Sequence, residues 1–105
     1  MLSVDEAVSF LDEIKLQFQR DPGKYDRFLD IMRDFRGDVI STHEVLVRIS
    51  ALFNGYPELV RGFNQFLPAG YKLEPSTDSS GRSAVLLNTP QGVTMYPRDY
   101  ARRDY

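Results

Sequence analysis

Cysteine and tryptophan are absent from the 105-residue chain, and histidine occurs once. Without thiols there is no disulfide framework, no thiolate metal site and no cysteine nucleophile, a usage that suits a reducing compartment such as cytosol or nucleus. Long apolar runs are missing as well. Charge interrupts every hydrophobic stretch within a few positions, so nothing approaches the ~20 residues of a membrane span, and the N-terminal residues lack the apolar heart of a signal peptide. A soluble protein is expected, with no membrane partner. Positive charge is not in surplus either: residues 1–74 hold nine Lys/Arg against twelve Asp/Glu, and residues 75–105 hold four against three. Binding to phosphate backbones draws on clustered cations, so no direct nucleic-acid partner is expected.

Chemistry-bearing constellations are equally sparse. His43 falls in the polar first turn of a predicted helix, where a solvated imidazole is the ordinary outcome. Asp30 with Asp34, or Asp5, Glu6, Asp12 and Glu13, could be imagined as acid/base or metal pairs, but they occupy the polar faces of predicted helices. Gly55, Gly62 and Gly70 do not follow a phosphate-loop spacing. Near the C-terminus Tyr96, Tyr100 and Tyr105 interleave with Arg98, Arg102 and Arg103, a mixture able to stack on single strands. Two nearby aspartates weaken that field, and a solvated linker is expected instead. No catalytic residue, metal or cofactor is predicted, and the chain is not read as an enzyme.

What is present is ordinary globular composition for one small domain, 42% hydrophobic and 27% charged. Ser3 with Glu6 forms a capping box, and Leu2 can staple onto Ala7, opening a first helix over Val4 to Arg20. Asp21 and Pro22 open a second, which runs to Arg36 and ends at Gly37. Ser41 with Glu44 makes another box, before a third helix carrying Val45, Leu46, Ile49, Leu52 and Phe53. Asn54 and Gly55 stop it. Pro57 opens a shorter fourth helix with Leu59, Val60, Phe63, Phe66 and Leu67, closed by Pro68 and Gly70. Four helices with short connections predict an all-α, up-and-down four-helix bundle over residues 2–74. Residues 75–105 read as a largely irregular, flexible tail or linker. The run "AVLLN" within it could dock on the bundle, but a lone strand has no partner inside an all-helical domain.

Two stretches repeat one pattern. "VDEAVSFLDEI" (Val4 to Ile14) and "YDRFLDIMRDF" (Tyr25 to Phe35) place large or apolar residues at the same relative positions, twenty-one residues apart. Those positions cover roughly 160° of a helix, more than the roughly 100° that one core requires. Phe10/Ile31 and Ile14/Phe35 mark one edge of the stripe and Val8/Leu29 the other. If the first edge enters the core, Ala7, Val8 and Leu11 with Phe28, Leu29 and Met32 line a groove suited to an amphipathic helix. Small Ala7 would let a partner backbone approach, and Met32 could adapt its shape. Two other readings stay open: the second helix is central and buried on both sides, or two copies cover each other's grooves as a dimerisation element without a peptide ligand.

The same stretches, and above all "LFNGYPELVRGFNQFLPAGYKLE", resemble the paired amphipathic helix domain of the Sin3 transcriptional corepressors, most closely its first domain. The resemblance runs without a gap over about Leu2 to Glu74. It implies a left-handed four-helix bundle that holds an amphipathic helix of a repressor or corepressor subunit between its first two helices, within a scaffold that brings histone deacetylases to chromatin. A nuclear, monomeric adaptor follows, either an excised piece of a longer scaffold or an unusually short relative. Carried over by position, the groove residues fall on Ala7, Val8, Leu11, Phe28, Leu29 and Met32, with Val4, Lys15 and Val60 as rim candidates. The implied core is Phe10, Ile14, Phe18, Tyr25, Ile31, Phe35, Val45, Ile49, Leu52, Phe53, Leu59, Phe63, Phe66 and Leu67.

Overall fold

Proline opens two of the helices. In the computed structural model, which describes residues 4–96 with side chains from Val8 onward, α1 spans Val4–Gln17 and α2 spans Pro22–Arg36. They are followed by α3 (Thr42–Phe53) and α4 (Pro57–Phe63). Pro22 and Pro57 occupy first-turn positions, where the missing N–H would have had no intrahelical partner. Asp21 holds the N-cap place of α2 without a side-chain capping bond. At α3 the Ser41 hydroxyl accepts from the Glu44 N–H at 3.1 Å. The reciprocal half of that box does not form, because the Glu44 carboxylate instead accepts from Arg48 Nε at 2.9 Å. The predicted box of Ser3 with Glu6, the staple of Leu2 on Ala7, and the arginine-tyrosine mixture beyond Tyr96 lie outside the described residues. α1 ends three residues before Arg20.

The end of α2 uses an unexpected residue. Gly37 keeps a negative φ, and Asp38 takes the left-handed position at φ 61°. Val39 N–H donates to Asp34 O at 2.8 Å and Asp38 N–H to Phe35 O at 3.1 Å. This is the Schellman pattern with aspartate where glycine is usual.

The fold is not all-α. A 3₁₀ turn, Asn64–Phe66, follows α4, and then three strands, β1 (Lys72–Thr77), β2 (Ser83–Thr89) and β3 (Gly92–Tyr96), pair antiparallel in the order β1-β2-β3. The predicted four-helix bundle with a largely irregular tail is therefore overturned: through Tyr96, that segment is sheet. The "AVLLN" run is no lone strand, since Leu87 faces Leu73 of β1 and Val85 faces Tyr96 of β3. Leu73, Val85, Leu87 and Tyr96 share one side of the pleat, are all buried, and join the same apolar cluster as the helices. β1 packs on α4, and β2 and β3 pack on α3.

The helical side of the core is built from phenylalanine. Phe53 stacks on Phe28 at 5.8 Å between centroids and meets Phe63 edge-on at 5.8 Å, with Phe10 and Phe18 close by. Ten of the fourteen predicted core residues are buried; Tyr25, Phe35, Phe66 and Leu67 are partly buried against the cluster. Gly62 permits the seam between α1 and α4, because a Cβ there would lie 2.6 Å from Phe10 Cε1. Ser50, fully buried in α3, satisfies its hydroxyl on Leu46 O at 2.7 Å.

Candidate functional site: an apolar groove between α1 and α2

The four-residue connection after α1 brings α2 back alongside it, and the broad stripes leave a gap that the core does not fill. An open cavity of about 420 Å³ lies there. Leu11 with Phe10 forms the α1 wall, and Phe28, Leu29, Met32 and Phe35 form the α2 wall. Val45 and Leu46 of α3, with Phe63 of α4, close the floor. Phe66, Leu67 and Pro68 border one side, and Arg36 and Thr42 are the polar members of the lining. Leu29 and Met32 also edge an adjoining shallow hollow bounded by Arg33, Arg36 and Gly37.

Four of the six predicted groove residues thus meet around one cavity: Leu11, Phe28, Leu29 and Met32. Their roles differ. Phe28 is only 4% exposed and stacks on Phe53, so it is floor and core at once, whereas Leu29 is 41% exposed and stands at the mouth. Val8, 50% exposed, sits one turn before Leu11 on α1 and is not among the residues lining the cavity. The side chains of Ala7 and Val4 lie outside the described residues. Lys15 is exposed on α1. Val60, a rim candidate, is instead 1% exposed in the core. An α4 residue in the middle of the hydrophobic cluster cannot reach a partner at the surface.

The core list implied by the resemblance put Phe10, Phe35, Val45, Phe63, Phe66 and Leu67 wholly in the core, yet all six line the cavity. A helical wheel reports direction but not depth, and a residue at the bottom of an open cavity points the same way as a sealed one. Arg36 carried a usable signal, since it follows Leu29 by seven residues and Met32 by four, on the same face.

The lining supplies mainly apolar contact, with Arg36 and Thr42 as its polar side chains. Arg33 is tied to Asp30 of its own helix, and Arg48 of α3 reaches Asp34 at 3.7 Å, so the acidic pair considered from the sequence is occupied by arginines. Among the described residues, the perturbed carboxyl is elsewhere. Asp78, in the β1–β2 loop, is held below the usual aspartate range, first by the Ser80 hydroxyl and then by the Arg82 backbone N–H.

Comparison with known proteins places the helices in a described group. Residues 23–67, from α2 through the 3₁₀ turn, match the paired amphipathic helix repeat. The paired amphipathic helix protein pst1 of Schizosaccharomyces pombe is 48% identical over 95 residues, 90% of this chain and 6% of that protein. The transcriptional regulatory protein SIN3 of Saccharomyces cerevisiae is 45% identical over 93 residues, 89% of this chain and 6% of that protein. The mouse paired amphipathic helix protein Sin3b is 44% identical over 71 residues, covering 68% of this chain and 6% of that protein. The similarity to pst1 and SIN3 extends over more of the chain than the helical repeat alone.

Proposed function

Because the chain belongs to the Sin3-type paired amphipathic helix family, we propose that it works as a docking module of a transcriptional corepressor, receiving an amphipathic helix of a repressor or corepressor subunit between α1 and α2. The supporting observation is the cavity itself. About 420 Å³ of almost wholly apolar space opens between two helices and reaches the phenylalanine core, the shape that receives side chains at i, i+3/i+4 and i+7 of an inserted helix. Leu29, exposed at the mouth, would be covered by the same partner.

The action is association without chemistry. A partner segment that folds on binding loses conformational entropy, so affinity near the micromolar range or somewhat better is expected, and repressors can exchange. The chain spans about 6% of the length of the curated relatives just described. In this reading it is one module of a longer nuclear scaffold, and the linkage to a histone deacetylase complex belongs to that scaffold. Chemical-shift mapping with a candidate repressor helix tests the proposal. Perturbations concentrated on α1 and α2 at unchanged monomer mass are expected. Absence of shifts together with a dimer mass would show instead that the face is a self-association surface.

A further inference from the structure

With no cysteine or tryptophan in the chain, its three methionines are the side chains that a mild two-electron oxidant meets first. Their settings differ. Met1 lies outside the described residues. Met95, half-buried in β3, is paired with Leu86 on the side of the pleat opposite buried Tyr96. Met32, half-buried on α2, packs against the apolar cluster and lines both the groove cavity and the shallow hollow beside it. One thioether side chain thus borders two openings, and the larger, of about 420 Å³, readily admits a molecule the size of hydrogen peroxide.

We propose, building on the groove reading above, that Met32 is a redox-sensitive modification site, whose oxidation to the sulfoxide by hydrogen peroxide weakens the hold of the groove on an amphipathic helix. The sulfur lone pair attacks one peroxide oxygen, and the S–O bond forms as the O–O bond breaks. The departing oxygen takes the proton of the transferred one and leaves as water, so sulfur loses two electrons and peroxide gains them. Thiol-dependent methionine sulfoxide reductases run the return step, in which two thiols become a disulfide and the oxygen leaves as water.

Placement gives the modification its effect. Phe28, Leu29 and Phe35 form the same wall as Met32, and Arg36 and Thr42 are the only polar members of the whole lining. A thioether adapts its shape to an apolar insert. A sulfoxide carries a polar S–O group that a docked helix would strip of water without replacing its hydrogen bonds. The coupling is reciprocal: if oxidation weakens helix binding, a bound helix protects Met32 from oxidation.

The test treats the full chain with hydrogen peroxide, locates the added oxygen by peptide mass spectrometry, follows the fold by circular dichroism, and titrates a fluorescent synthetic helix with one leucine-rich stripe. Oxidation of Met32 should weaken binding about tenfold or more, the loss expected when a buried methionine contact is forfeited. Methionine sulfoxide reductases with dithiothreitol should restore it. The bound helix should slow oxidation of Met32 and leave that of Met95 unchanged. Met95→Leu should respond to peroxide as the parent does, whereas Met32→Leu, compared with its own untreated sample, should not respond. Undiminished binding by protein oxidised at Met32, loss of helical structure on that oxidation, or a Met32 left unprotected in the complex would overturn the switch and leave the groove reading standing. Failure of the helix to bind the untreated chain would overturn both.

Discussion

The side-chain amide of Asn64 makes both outward backbone hydrogen bonds of Leu73: Nδ2 donates to Leu73 O at 2.7 Å, and Oδ1 accepts from Leu73 N–H at 2.7 Å. One asparagine therefore acts as a single-residue strand against the edge of β1, and it ties the 3₁₀ turn that carries Phe66 to the sheet. It also blocks an edge that would otherwise offer unpaired groups to another chain. Replacing Asn64 by Leu leaves a partly buried N–H and C=O without partners, which costs about 1–3 kcal/mol. Urea unfolding should show this as a lower midpoint, and amide exchange at Leu73 should rise. A variant with parental stability and a protected Leu73 amide would show the clamp to be energetically idle.

How much of this was readable in advance follows from the range of each signal. Helix starts were legible because proline and a capping serine act within a few residues: α2 begins at Pro22, α4 at Pro57, and Ser41 caps α3. That Leu11, Leu29 and Met32 turn toward one cavity was legible because a 3.6-residue period assigns faces. The sheet was not, because its signals look like breakers. Pro75 argues against a strand, yet, two residues on from Leu73, its backbone nitrogen faces the open edge of β1 and not β2, so no ladder bond is lost. "TDSSGRS" reads as linker, yet Asp78 Oδ1 accepts from the Ser80 and Arg82 N–H groups and folds it into a hairpin loop. Leu86 on the outer face hides the alternation of buried Val85 and Leu87. Strand pairing is a non-local fact, and a strand sought singly is a strand missed.

Gly62 and Phe10 set how closely α1 approaches α4. In an exposed helix, Gly→Ala stabilises by about 1 kcal/mol. Here the new methyl would meet a ring already packed against Phe53, Phe63 and Phe66, and overpacking of this kind costs about 1–3 kcal/mol. Gly62→Ala should therefore lower the thermal midpoint, and Phe10→Leu introduced beside it should recover part of the loss. A double-mutant cycle with no coupling would refute the close contact.

Asp78 gives the hairpin a pH dependence of known sign. Its carboxylate accepts from Ser80 Oγ at 2.6 Å, Ser80 N–H at 2.9 Å and Arg82 N–H at 3.0 Å. These bonds favour the charged form and lower its pKa in the folded state. The stabilisation is complete above the ordinary aspartate value of about 3.9 and is lost as pH falls through the lower folded value. Because the group is solvent-exposed, the effect should be local. The Ser80 and Arg82 amide shifts should titrate together at acid pH, and Asp78→Asn should remove that titration while the helical core melts at nearly the parental temperature.

Leu29 separates the groove from the core. It is 41% exposed at the cavity mouth, so Leu29→Asp buries no charge in the free protein and should cost well under 1 kcal/mol beyond its helix-propensity loss. A bound helix would seal that mouth. The substitution then forfeits an aliphatic contact of about 1.5–3 kcal/mol and also traps a carboxylate without a partner, so affinity for a repressor helix should fall by roughly a hundredfold or more. Val8→Asp, outside the cavity lining, should weaken binding less. Phe28→Ala should behave differently again, losing about 3–5 kcal/mol of stability because its ring stacks on Phe53 in the core. Binding isotherms beside circular dichroism distinguish the three. If a folded Leu29→Asp protein bound its helix as tightly as the parent, the partner would have to dock somewhere other than between α1 and α2.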